Sequence, residues 1–169
     1  IKGNAADLVT ALSKITNTGN ANIKLDDAHD LTQLKTINNA TNGSITFADN
    51  TVKLSGSVAD LGAALAGVTG YKGEVDITDN GSDISATAIT AIADATNKTP
   101  VITKTPNIKG NAADVVTALA KITNTGNANI KLDDAHDLGQ LKAINNATNG
   151  SITFSDNTVK LAGSIAVSY

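Results

Sequence analysis

The sequence predicts a right-handed α/β solenoid, in which short strand–helix units stack along one axis. Residues 108–164 repeat residues 1–57 at an offset of 107 with only six mild substitutions, and a fixed period is the signature of stacked repeats. Apolar residues at helical spacing alternate along the chain with short β-branched runs. Aromatic residues make up 2% of the chain, and Trp, Met and Cys are absent. The interior must therefore consist of thin aliphatic layers, which suits units that contact only their neighbours.

Each predicted helix has one apolar face and begins at a capping residue. Apolar residues three or four apart mark the faces, as in Leu31, Leu34 and Ile37. Ser, Thr, Asn or Asp stands just before each stripe, where its side chain can accept a hydrogen bond from the first turn. The predicted caps are Asn4, Asp30, Ser57 and either Ser85 or Thr87, with Asn111 and Asp137 in the second copy. Gly- and Asn-containing turns are expected to end the helices. They lie at 17–20, 41–44, 67–70 and 96–100.

Short alternating runs between the helices predict strands with one buried face. The clearest runs are 22–26, 44–49, 74–79 and 100–104, and shorter second runs lie at 51–56 and 107–110. One unit is thus a strand, a turn, sometimes a second strand, and a helix, with about 27 residues to a unit. Because a helix links successive parallel strands, the coil is expected to be right-handed. Residues 1–169 are interpreted as one solenoid, with 1–107 as a first four-unit period and 108–169 as a second, partial one.

A doubly wound α/β domain is the competing fold. The near-identical second copy and the shortness of the units count against it. The second copy also departs from the first at its end, where GSIAVSY (163–169) stands in place of GSVADLG (56–62). This change predicts a strand-like tail that pairs with the next subunit. The residues expected at such a junction are Ile1, Lys2, Val167 and Tyr169.

The densest polar cluster is the sequence LDDAHDL, at 25–31 and again at 132–138. Three carboxylates within five residues could supply oxygen ligands to Ca²⁺, although the spacing matches neither an EF-hand loop nor the calcium β-roll repeat. In the other interpretation one Asp caps a helix, two lie on a solvated turn, and His29 lies on the surface. Both interpretations stay open at this point. The candidate ligands are Asp26, Asp27, Asp30, Asp133, Asp134 and Asp137.

Composition argues against several functional classes. The net charge is −3 without a basic cluster, which disfavours nucleic-acid binding, and no apolar run is long enough to span a bilayer. Without Cys there is neither a disulfide nor a thiolate metal site. The acidic residues recur with the repeat and so are expected in rows rather than converging in a cleft. The chain is therefore predicted not to be an enzyme and to need no cofactor, Ca²⁺ apart.

The stretch DLTQLKTINNATNGSITFADNTVKLSGSVADLGAALAGVTGYKGEVDITD (30–79) resembles repeats of very long secreted bacterial surface proteins, especially those of cyanobacteria. The resemblance implies an extracellular structural role in a filament, sheath or surface layer. The alternative is a cell-surface adhesin stalk or glycan-binding module, with or without a dependence on Ca²⁺. Because the chain starts and stops inside repeat units, we expect a polymerising subunit or a segment of a longer array. Further copies of the chain are the expected partner, with surface polysaccharide as a second.

Overall fold

Helix-forming stripes and β-branched runs alternate along the chain, and the structure pairs them as a mixed α/β protein. The computed structural model describes residues 1–15 and 19–162, which contain six helices and three parallel sheets. The helices are α1 (Ala5–Leu12), α2 (Leu31–Asn39), α3 (Val58–Leu65), α4 (Ala86–Ala95), α5 (Ala112–Ala120) and α6 (Leu138–Ala147). Their first residues lie 26 to 28 positions apart, as the unit of about 27 residues predicts.

The strands form three open sheets, which are all parallel. The first sheet contains β1 (Lys2–Gly3), β2 (Ile23–Leu25) and β3 (Ile45–Phe47) in that order. The second contains β4 (Leu54–Gly56), β5 (Val75–Ile77), β7 (Val101–Ile102) and β9 (Thr123–Asn124). The third runs from β6 (Asp83–Ser85) through β8 (Asn107–Gly110) and β10 (Asn129–Leu132) to β11 (Ile152–Phe154). The runs predicted as strands are all present, whereas β1, β6 and β9 were not predicted.

Paired residues on neighbouring strands are separated by nearly constant intervals along the chain. In the first sheet Lys2 pairs with Lys24, which in turn pairs with Thr46. In the other two sheets the paired residues are 21 to 25 positions apart. This interval is shorter than the helix spacing because the strand–helix connections differ in length. One residue separates β1 from α1, whereas the five residues 26–30 separate β2 from α2.

Each helix begins where the sequence predicts, because a polar side chain caps it. All six predicted caps accept a hydrogen bond from the third helical residue, and Ser85 rather than Thr87 is the cap of α4. Helices α1 and α3 end earlier than the apolar residues at helical spacing suggest, since those series continue from Leu12 to Ile15 and from Leu65 to Val68. Ile15 and Val68 lie beyond the ends of α1 and α3. The predicted stop at 17–20 falls partly outside the described residues.

The aliphatic core continues from helix to helix, since each helix packs on the next one along the chain. One cluster of buried residues fills the space around α1, β2 and part of α2. A larger cluster extends from α2 to α6. Ile37 of α2 belongs to the smaller cluster and Leu34 of the same helix to the larger one. Helix α2 therefore joins the two clusters.

Glycine and threonine together form the tight corners after α2 and α6. A Cβ atom on Gly43 would lie 2.4 Å from the carbonyl oxygen of Ala21, in the preceding turn of chain. The Thr41 hydroxyl donates to that same oxygen at 2.6 Å and accepts from the Gly43 amide at 2.9 Å. The same contacts recur among Ala128, Thr148 and Gly150. Side-chain hydrogen bonding thus satisfies a partly buried carbonyl at a corner where a side chain on the glycine would not fit.

Candidate functional site

The two LDDAHDL loops connect β2 to α2 and β10 to α6, and their first carboxylate pairs with a lysine. The Lys2 ammonium lies 3.5 Å from Oδ2 of Asp26. In the second copy Lys109 lies 3.7 Å from Oδ1 of Asp133. Both partners are substantially exposed in each pair, so these ion pairs add little to stability.

The second carboxylate of each loop accepts a hydrogen bond from the start of the helix that precedes the loop in the chain. Oδ1 of Asp27 accepts from the amide of Ala5, the first residue of α1, at 2.8 Å. Asp134 accepts from Ala112 at the start of α5, also at 2.8 Å. These amides have no partner within their own helix, and a carboxylate also complements the positive end of the helix dipole. Each contact therefore ties an aspartate side chain to the backbone at the start of the preceding helix.

The third carboxylate of each loop caps the helix that follows it. Asp30 accepts from the Gln33 amide at 2.8 Å, while the Gln33 side chain accepts from the Asp30 amide at 3.0 Å. Asp137 and Gln140 form the same capping box in front of α6. This is the reciprocal arrangement that stabilises a helix N-terminus.

The three carboxylates of a loop are thus engaged with three different partners. Within residues 1–15 and 19–162, no group of three or more His, Asp or Glu side chains is arranged to hold a metal ion. Calcium binding by Asp26, Asp27 and Asp30, or by their repeats, stays a prediction. A rise in melting temperature with added Ca²⁺ that EDTA reverses would support it.

The expectation that His29 lies on the surface is wrong. Its ring is buried, 5.1 Å from the centre of the Phe47 ring, and Nε2 lies 2.9 Å from the Tyr71 hydroxyl oxygen. That hydroxyl donates to the carbonyl of Val52 at 2.8 Å, so its oxygen can accept from Nε2–H. Burial lowers the pKa of His29, outweighing the opposing effect of Asp49. This cluster could not be predicted from the sequence, because Tyr71 is 42 positions away from His29.

The residues predicted at a subunit junction lie at the first end of the chain or outside the described part. Ile1 is exposed, and its ammonium group donates to the carbonyl of Asn22 at 2.7 Å. Lys2 belongs to β1, an outer strand of the first sheet. Val167 and Tyr169 lie outside the described residues, as does the whole predicted tail 163–169.

The sequence analysis predicted units of about 27 residues inside the 107-residue repeat but missed a closer likeness at about twice that interval. The segments GNAADLVTAL (3–12), GSVADLGAAL (56–65) and GNAADVVTAL (110–119) are alike and lie 53 and 54 positions apart. They form α1, α3 and α5 with their caps, and a carboxylate from the following turn accepts from the first helical amide each time. The third such carboxylate is Asp79, bound to Val58 at 2.7 Å. The shared Gly-(Asn/Ser)-x-Ala-Asp pattern was the available signal.

Helix α2 packs on α3 through contacts that can be named atom by atom. A Cβ on Gly56 would lie 2.4 Å from Cδ2 of Leu31, so the glycine makes room for that leucine. The Lys35 ammonium lies 2.5 Å from Oδ1 of Asp60 and helps to lower the pKa of that carboxyl. Further along, Nδ2 of Asn38 approaches three carbonyl oxygens at the end of α3. These belong to Ala63, Ala64 and Ala66, at 2.8, 3.1 and 2.9 Å.

The two ends of the described chain expose residues whose repeats are buried in the middle. Ile108 is 0% exposed beneath the preceding unit, whereas the same residue of the first copy, Ile1, is 52% exposed. At the other end Leu54 is 0% exposed beside α3, and its repeat Leu161 is 41% exposed. Both ends are thus aliphatic surfaces of a kind that the fold covers elsewhere.

Comparisons with known proteins leave the family open. No protein-family model matches the chain, and neither the curated proteins nor the solved structures give a significant match. None of the helices within the described residues is long and apolar enough to cross a membrane.

Proposed function

We propose that the chain is an α/β solenoid with a structural function, an extracellular unit that joins end to end with further copies. The observation that carries the proposal is the difference in exposure between repeated residues. Ile108 and Leu54 are fully buried where another unit lies against them, while Ile1 and Leu161 are exposed where no described unit does. Large apolar side chains on an end surface favour association, because covering them removes apolar area from water.

The arrangement of the elements supports the solenoid interpretation. Parallel strands pair at intervals of about one turn of chain, and helices pack in chain order on a core that continues through α2. Stacked units of this kind leave unpaired strand edges at both ends, and such edges need a cap or a partner.

The extracellular location is proposed from the resemblance to secreted bacterial surface repeats. A structural rather than enzymatic function fits the engagement of the repeated carboxylates, which cap helices and pair with lysines. In this proposal the polar loops hold consecutive units together, and the filament, sheath or layer takes its stiffness from the parallel strand ladders.

Electron microscopy of the purified chain over a range of concentrations tests the proposal. We expect unbranched fibres or a layer with an axial repeat, preceded in analytical ultracentrifugation by elongated oligomers that grow with concentration. A chain that sediments as a monomer up to about millimolar concentration would contradict it, since even a weak interface would be populated there.

A further inference from the structure

The two surfaces that form the α2–α3 interface recur at opposite ends of the described chain, on α6 and α1, where they do not meet each other. Helix α6 repeats α2 almost letter for letter, so Leu138, Lys142 and Asn145 take the places of Leu31, Lys35 and Asn38. Helix α1 resembles α3, and Gly3 and Asp7 take the places of Gly56 and Asp60. Helix α6 thus carries a surface like that of α2, and α1 carries a surface like that of α3.

The half on α6 has its side chains in place but no partner for them within residues 1–15 and 19–162. Leu138 is 41% exposed, although Leu31 packs over Gly56. Lys142 makes no ion pair and Asn145 no hydrogen bond with the described residues, whereas Lys35 and Asn38 engage Asp60 and the end of α3.

The half on α1 is open in a complementary way. A Cβ on Gly3 would meet nothing nearer than Cγ of Leu8 at 3.6 Å, so the space that Leu31 fills beside Gly56 is free here. The Asp7 carboxylate accepts from the Asn4 side chain at 2.8 Å and has no lysine partner among the described residues. A leucine and a lysine presented as on α2 would therefore find both open space beside Gly3 and a counter-charge at Asp7.

We propose that α6 of one copy packs on α1 of the next copy in the way that α2 packs on α3 within the chain. This inference rests on the proposed structural function and supplies its interface. Because the two surfaces are different, the contact is heterologous and leaves both ends of every oligomer open for growth. The proposed pairs are Leu138 with Gly3, Lys142 with Asp7, and Asn145 with the carbonyl oxygens of Thr10, Ala11 and Ser13.

The substitution Gly3→Ala tests the steric part of the interface. Within one chain the new Cβ makes an ordinary contact with Leu8, so the melting temperature of the monomer should be unchanged. In the proposed interface the new Cβ would clash with Leu138 of the other copy, just as a Cβ on Gly56 would clash with Leu31 within the chain. We expect association to weaken at least about fivefold in analytical ultracentrifugation, since overpacking a fitted contact is destabilising. The control Gly62→Ala lies in α3 with open space around its Cβ and should leave association unchanged.

Charge exchange tests the direction of the contact. The variants Asp7→Lys and Lys142→Asp should each assemble a few-fold more weakly than the wild type, because like charges then face each other. An equimolar mixture of the two should assemble as the wild type does, since every contact in an alternating chain is again between opposite charges. A zero-length carbodiimide should link Lys142 to Asp7, and mass spectrometry can tell these peptides from those of the other copy by Thr36/Ala143 and Leu8/Val115.

The outcomes separate this interface from the structural function itself. Wild-type fibres that persist unchanged in Gly3→Ala and in both charge variants would overturn the interface and leave the structural function standing. The same holds if Leu138→Asp lowers the melting temperature of the monomer while Gly3→Ala leaves assembly unaffected, since α6 is then already covered within one chain. A wild type that never assembles would overturn both.

Discussion

The two copies of the repeat have nearly the same sequence, yet corresponding residues differ in how far they are buried. Leu34 in α2 is fully buried, while Leu141 at the same place in α6 is only partly buried. Ile1 and Ile108 differ in the opposite sense, because α4 and β6 precede the second copy and no described unit precedes the first. Burial in this molecule is therefore set by the adjacent unit as much as by the unit to which a residue belongs.

The largest expected difference in stability between the two copies comes from shortening the leucine that is buried in the first copy. Leu34→Ala should reduce the free energy of unfolding by about 2–5 kcal/mol, because it removes buried methyl groups and leaves a cavity. Leu141→Ala should cost less than half as much, since the side chain already meets solvent. Urea denaturation of both variants, at a concentration where the chain is monomeric, measures the difference. Equal losses would mean that α6 is covered within the monomer.

The buried cluster around His29 is the next largest difference between the copies. In the first copy His29, Phe47 and Tyr71 pack together, whereas in the second His136 stacks on Phe154 at 4.6 Å. Tyr71→Phe removes the hydroxyl that donates to the Val52 carbonyl and accepts from His29. We expect a loss of about 1–3 kcal/mol in urea denaturation, because the buried ring nitrogen of His29 and the partly buried carbonyl of Val52 then lack a partner.

Tyr71→Leu is the matched control, because it removes the ring as well as the hydroxyl and should cost more than Tyr71→Phe. A Tyr71→Phe variant as stable as the wild type would show that the hydroxyl is not needed in the cluster.

Much of the fold follows from local signals, and the rest depends on contacts between distant residues. The helices, their caps and most strands could be predicted because periodicity and capping act within a few residues, as at Asn4 and Asp30. The strand β6 was missed, since Asp83-Ile84-Ser85 is too short for a clear alternation and is defined by its pairing with β8. For the same reason the role of Asp27 was not predictable, because its partner Ala5 is 22 positions away.

A third difference is a dependence of stability on pH that comes from His29. Burial lowers the pKa of His29 below 6.5, its ordinary value, although the carboxylates of Asp49, Asp27 and Asp30 act in the other direction. As the pH falls below about 6.5 the unfolded chain binds a proton that the folded chain does not. Stability should therefore decrease between pH 7 and pH 5, above the range in which the carboxylates titrate.

Thermal unfolding of the wild type and of His29→Gln at half-unit steps of pH measures this effect. The variant will be less stable at pH 7, but its melting temperature should fall less steeply towards pH 5. If the two slopes are the same, another group is responsible for the dependence.

The smallest expected effect concerns Lys35, whose repeat Lys142 has no described partner. The hydrogen bond from Lys35 lowers the pKa of Asp60, with a further contribution from the Ser57 hydroxyl. Lys35→Met should therefore raise the pKa of Asp60 towards its ordinary value of 3.8, while leaving it below that value because Ser57 remains. A carbon-detected NMR titration of the Asp60 carboxyl between pH 2 and pH 6 measures the shift.

Lys142→Met supplies the matched control, because it changes the same side chain in the other copy. In the monomer it should leave the titration of Asp60 unchanged, since Lys142 lies on α6 and Asp60 on α3. At concentrations where copies associate, the same substitution should instead weaken association a few-fold, because the proposed interface places Lys142 of one copy beside Asp7 of the next. Weaker association of Lys142→Met in analytical ultracentrifugation, with the titration of Asp60 unchanged, would thus show that an interface within one chain is used again between chains.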